Sequence, residues 1–111
     1  MAFDIVLTPE AARVLRKLPG HERALVKDTI DRHLRHEPTK LSKSRIKRLR
    51  GLRQPQYRLR VGDIRVFYDV TETQVQVLAI VTKAEAQKWL EAQGRPAEPS
   101  DQGRPSGGDQ R

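Results

Sequence analysis

The chain has 111 residues, 36% of them apolar and 32% charged, with no cysteine. That is enough for one domain with a modest core, and it excludes both a disulfide scaffold and a thiolate metal site. The net charge of +8 points to a polyanion, or an acidic protein surface, as partner. The longest apolar run, Val77 to Val81, is far too short to cross a bilayer, and no signal segment precedes Phe3. The expected location is the cytoplasm.

The elements follow in chain order. Ala2 to Leu7 alternates, with Phe3, Ile5 and Leu7 on one side of a short strand. Thr8, Pro9 and Glu10 are the cap, first position and acidic first turn of a helix that buries Ala11, Leu15 and Leu18 and stops at Pro19-Gly20. A second helix runs from about His21 to His36, with Leu25, Val26, Ile30 and Leu34 on one face, and Pro38 ends it. Residues 39–56 read as a basic connection with little periodicity. Tyr57–Val61 and Ile64–Val70 then alternate around a two-residue Gly62-Asp63 turn. After Thr71–Thr73, the segment Gln74–Val81 ends as a continuous apolar run that suits a strand covered on both faces. Thr82 and Glu85 form a capping-box pair that opens a third helix, in which Ala86, Trp89 and Leu90 share a face, and Gly94 closes it. The expected fold is α+β: an N-terminal strand and a helical hairpin packed on a four-stranded, mostly antiparallel sheet, in the order β-α-α-β-β-β-α. Residues 1–94 form the domain, and 95–111, with almost nothing to bury, form a disordered tail.

The charge is not spread evenly. Lys40, Lys43, Arg45, Lys47, Arg48, Arg50, Arg53, Arg58 and Arg60 fall between Pro38 and Gly62, with no acidic residue among them. Solvated surfaces mix signs, so a one-sign block that runs into a structured hairpin is better explained by nucleic acid than by solubility alone. Period-two alternation places Tyr57, Leu59 and Val61 on one face, and Arg58 and Arg60 on the other. With Gly62-Asp63 as the turn, Arg60 lies opposite Arg65 and Arg58 opposite Phe67. Like charges facing each other across strands cost about 0.2–1 kcal/mol, which suits a surface that waits for phosphate. The other reading is an ordinary outward face of a half-exposed sheet.

Two runs carry a resemblance: Lys47-Arg48-Leu49-Arg50-Gly51, and Tyr57-Arg58-Leu59-Arg60-Val61-Gly62-Asp63-Ile64-Arg65-Val66-Phe67-Tyr68. Together with the segment from Leu7 to Pro19 and the helical hairpin, the sequence resembles the RelE/ParE superfamily of type II toxins over roughly residues 3 to 90. The resemblance implies a RelE-like fold and a ribosome-dependent mRNA endoribonuclease that uses no metal and no cofactor. In that chemistry the ribose 2′-hydroxyl attacks the adjacent phosphate. It also implies the ribosome with its mRNA, and a cognate antitoxin, as partners.

Arg58 and Arg60 match two basic catalytic positions of the family, and Arg65 matches a phosphate-binding arginine. The basic residues from Lys40 to Arg53 feed the site as RNA contacts. The chain departs from RelE proper where that toxin has an arginine after the last strand and a tyrosine in the C-terminal segment. Ala84 and Leu90 stand there. Lys83 is placed to substitute for the arginine, and Trp89 either stacks a base or packs in the core. Arginine stays protonated and cannot act as general base. Tyr68 shares the face of Ile64 and Val66 and reads as packing. His21, His33 and His36 read as surface or end residues of the helical hairpin. Two further readings stay open: a ParE-like inhibitor of DNA gyrase that acts by binding, and a degenerate relative that only binds RNA or its antitoxin.

Overall fold

Strand β1 (Asp4–Leu7) leads into helix α1 (Pro9–Lys17), whose start is fixed by Thr8. Its Oγ1 accepts from the Ala11 amide at 3.1 Å, with Pro9 at the first helical position. The computed structural model describes residues 2–97 of the chain. Arg23 closes α1 from the next helix, donating from Nη1 to the carbonyls of Arg16 and Leu18 at 3.0 and 3.2 Å. That helix, α2 (Gly20–Leu34), buries Val26, Thr29, Ile30 and Leu34, the 3.6-residue stripe expected from its sequence.

The remaining strands are β2 (Ile46–Arg48), β3 (Leu52–Gln54), β4 (Tyr57–Val61), β5 (Ile64–Val70) and β6 (Gln74–Thr82). Helix α3 (Lys83–Gln93) follows, and then the two-residue β7 (Arg95–Pro96). The main sheet has five strands in the order β1-β6-β5-β4-β2, with β1 parallel to β6 and every other pairing antiparallel. Strands β3 and β7 form a separate antiparallel ladder. The core lies between the helical hairpin and one face of the sheet. There Leu59, Val66, Val75 and Val77 are fully buried against Ala11, Val26 and Leu34. The capping box at Thr82 and Glu85 is complete.

Two expectations are corrected. The main sheet has five strands rather than four, because residues 39–56 contain β2, and the same segment supplies β3 to the separate ladder. Three-residue strands are too short for a period of two to show, and these carry Lys47, Arg48 and Arg53. Arg95 and Pro96, expected to open the tail, pair with β3 instead, and the Ala97 amide donates to the Gly51 carbonyl at 3.0 Å. The rest of the expected tail, residues 98–111, lies outside the described residues.

The link between the main sheet and the β3–β7 ladder is Asp69, which is buried. Its carboxylate accepts from Gln54 Nε2 at 2.6 Å and from the Gln56 amide at 2.7 Å. Gln56 Oε1 in turn accepts from the Val70 amide at 2.9 Å. Asp69→Ala strands these donors, and an orphaned buried donor costs about 1–3 kcal/mol. The expected result is a loss of that size in urea unfolding, and an unchanged midpoint would remove Asp69 from this role.

Candidate nucleic-acid interface

The register expected from the sequence is the one observed: Arg60 faces Arg65 and Arg58 faces Phe67 across β4 and β5. With Leu59 and Val61 turned into the helix-side core, Arg58 and Arg60 project from the opposite face. Strand β2 adds a neighbour that the sequence did not reveal, because Lys47 lies directly opposite Arg58. Four cations thus stand in two adjacent rows, Lys47–Arg58–Phe67 and Arg60–Arg65.

The face is short of counter-charge. Among the described residues, no carboxylate lies within ion-pair distance of Lys47, Arg58, Arg60 or Arg65. Ion pairs gather on and just after α2 instead, as at Arg32–Asp28 (2.7 Å) and Lys40–Glu37 (3.7 Å). Asp69, the carboxylate closest in sequence on this face, is fully engaged by Gln54 and Gln56.

Within the face the arginines differ. Arg58 is half-buried, and its Nε–H has no acceptor, the one buried side-chain polar atom so placed among the described residues. Its pKa is held below the usual guanidinium value, first by burial and then by the charges of Arg65 and Arg60. Arg60 is exposed. Arg65 is only 8% exposed, and its Nη1 donates to the carbonyls of Gly62 and Ile64 at 2.9 and 3.1 Å. It is therefore tethered to its own hairpin, and one of its two terminal nitrogens is already committed.

Helix α3 returns over this same face, where Trp89 stacks on Phe67 with ring centroids 5.2 Å apart and planes 14° apart. Trp89 is half-buried, so one side of the indole packs while the ring also lines a cleft of about 460 Å³ with Thr8, Arg13 and Leu78. Ala84 is exposed and Leu90 half-buried, and neither brings a functional group. Lys83 is exposed, and its amide donates to the Asp63 carbonyl at 2.7 Å, which sets it beside the hairpin tip.

The rest of the basic run divides. Arg48 lies on the other side of the sheet, its guanidinium 5.1 Å above the Tyr57 ring, and it donates to the Gln56 carbonyl at 2.8 Å. Arg50 and Arg53 border a shallow cleft of about 520 Å³ beside Gly51 and Ala97. Lys40 and Arg45 turn toward the end of α2, next to His33 and His36, and Lys43 is exposed in the same loop. Sequence alone places these histidines at the surface or ends of the helical hairpin and does not show the basic loop beside them. A loop of no regular period hides where it folds back.

Tyr68 is buried on the helix side, stacked on Tyr57 at 5.5 Å, and its hydroxyl donates to the Pro38 carbonyl at 2.7 Å. Burial, and then the neighbouring Tyr57, push its pKa above the usual phenol value, so it is not an acid or base for the arginine face.

A mixed five-stranded sheet, with a helical hairpin on one side and a cationic surface under a short C-terminal helix on the other, is a RelE-like toxin fold. Residues 5–87 match the family described as the ParE toxin of the type II toxin–antitoxin system parDE. The chain belongs to that family, within the RelE/ParE group of type II toxins. The RelB–RelE complex of Methanococcus jannaschii matches with a TM-score of 0.58 at 21% identity, over 76% of this chain and 96% of the matched one. The RelBE2 toxin–antitoxin complex of Mycobacterium tuberculosis matches with a TM-score of 0.56 at 26% identity, over 74% and 99%. A mutant of the Escherichia coli toxin RelE in the free state matches with a TM-score of 0.52 at 23% identity, over 82% and 93%. No curated protein sequence matches the chain.

Proposed function

We propose that the arginine face binds an RNA backbone, and that the chain is a toxin that cleaves mRNA on the ribosome and is neutralised by a cognate antitoxin. The observation that carries this reading is Arg58. A guanidinium half-buried among like charges, with an unpartnered Nε–H and no carboxylate, is costly for folding and suited to a phosphate. The ribose 2′-oxygen attacks the adjacent phosphorus, the 5′-oxygen leaves, and negative charge builds on the non-bridging oxygens. Arg58, Arg60 and Lys47 supply the donors around that charge, and each such donor contributes on the order of 2.7–4 kcal/mol to the transition state. Arg65 acts mainly through its field and by holding the hairpin, and Trp89 and Lys83 border the strand's path. Water takes the 2′-hydroxyl proton and returns one to the departing 5′-oxygen, because arginine stays protonated and cannot serve as base. An antitoxin segment rich in Asp and Glu fits over the same surface.

A second reading is favoured by the ParE description of the matching family and by the absence of functional groups at Ala84 and Leu90: inhibition of DNA gyrase by binding. Induction of the chain alone in a bacterial host separates the two. Cuts inside translated codons, mapped by primer extension and lost in Arg60→Ala, are the expected result. Intact mRNA with a raised SOS reporter would transfer the assignment to gyrase.

A further inference from the structure

The loop between α2 and β2 folds back on the last turn of α2 and encloses a cleft of about 420 Å³ that includes His33, His36, Lys40, Ser42 and Arg45 in its walls. We propose that this cleft is a second phosphate subsite, taking a backbone phosphate of the same RNA strand that crosses the arginine face. It rests on the RNA reading of that face.

Continuity is the first argument. Arg45 joins the two places, since its carbonyl accepts from the Arg60 amide at 2.8 Å and its Nη1 donates to the Arg60 carbonyl at 3.3 Å. A strand leaving Arg60 over the edge of β2 meets Arg45 next.

The second argument is order. The cleft wall is preformed, because Tyr68 holds the Pro38 carbonyl and the Lys40 amide donates to the Glu37 carbonyl at 3.2 Å. Ser42 Oγ accepts from the amides of Arg45 and Ile46 at 2.9 and 3.0 Å, which leaves its own hydroxyl proton to donate. Groups held in place before binding lose less entropy when a ligand arrives.

Charge is the third. Arg32 is occupied by Asp28, and Lys40 has only a long, exposed pair with Glu37 (3.7 Å, side chains 72% and 66% exposed), of the kind worth little in water. Arg45 has no carboxylate partner among the described residues. Arg45, whose Nη1 is bonded to the Arg60 carbonyl but whose charge no carboxylate offsets, and the two imidazoles are the groups that gain from an anion.

His33 makes the subsite readable. It faces Asp28 and Arg32 from its own helix and Arg45 from the loop, and His36, Glu37 and Lys40 line the same cleft. Burial lowers its pKa from the ordinary 6.5, and Arg45 and Arg32 lower it further against Asp28. A phosphate seated there offsets the two guanidinium contributions, so the bound imidazole has a higher pKa than the free one. The added affinity is therefore complete below the free pKa and is lost as pH rises through the bound one.

The test is proton NMR of His33 and His36 in the full chain, titrated alone and with single-stranded RNAs of about 4 and about 12 nucleotides, alongside RNA affinity measured against pH. The longer RNA is expected to raise the His33 pKa and to lose roughly tenfold in affinity across that titration, and His33→Gln is expected to flatten the profile. A His33 titration unmoved by an RNA that binds overturns the subsite. If Arg60→Ala leaves RNA affinity intact, the RNA reading of the face fails instead.

Discussion

Replacing Arg58 by methionine is expected to make the protein more stable and much less toxic. The aliphatic stem of Arg58 packs within the sheet face, and methionine reproduces most of that volume. What disappears is a half-buried charge whose Nε–H has no acceptor and whose neighbours Arg60 and Arg65 repel it. Replacing a poorly compensated buried ionic group by an apolar one of similar size is commonly stabilising. A gain of about 0.5–2 kcal/mol is expected, read at about 4–8 °C of melting temperature per kcal/mol for a domain of this size. On the proposed RNA cleavage, activity moves the other way, because losing one donor aimed at developing phosphate charge would cost about 10²–10³-fold in rate. A lower melting temperature would mean that Arg58 has a structural partner. A higher melting temperature with toxicity intact would move the working site off this face. Arg60→Ala separates the two effects, since an exposed residue contributes little to stability.

The contrast between Arg58 and Arg65 shows where reading the sequence stops. Alternation along β4 and the Gly62-Asp63 turn determine which residues share a face, so the convergence of Arg58, Arg60 and Arg65 follows from the pattern alone. Whether a guanidinium is free or tethered depends on carbonyls in three dimensions. Arg65 bends back to Gly62 and Ile64, and nothing in a linear pattern reports that. Lys47 escaped for a different reason: a three-residue strand with two charges has no signature, yet its pairing with β4 sets Lys47 beside Arg58. Caps were more legible, since Thr8 and the Thr82–Glu85 box act over three residues and their partners are written next to them. The placement of His33 against Arg45 was hidden because it depends on a loop held by contacts from distant residues, among them the Tyr68 hydroxyl and the Arg60 backbone.

Truncating Tyr68 is the largest stability change expected. Tyr68 is fully buried, stacked on Tyr57, and bonded to the carbonyl of Pro38, thirty positions away in the chain. Tyr68→Ala removes the ring as well as the bond, and truncating a buried aromatic costs about 3–5 kcal/mol. Against a total of about 5–15 kcal/mol for a typical domain, a domain at the low end of that range loses much of its folded population at 37 °C, and toxicity falls with it. Tyr68→Phe is the informative partner. It keeps the ring and leaves the Pro38 carbonyl unpaired, for about 1–3 kcal/mol in denaturant unfolding. Most of the toxicity should remain, because the phenol lies on the helix side, away from the arginine face. If Tyr68→Phe instead kept full stability and lost activity, the hydroxyl would be part of the chemistry. The loop that it anchors would then need another explanation for its order.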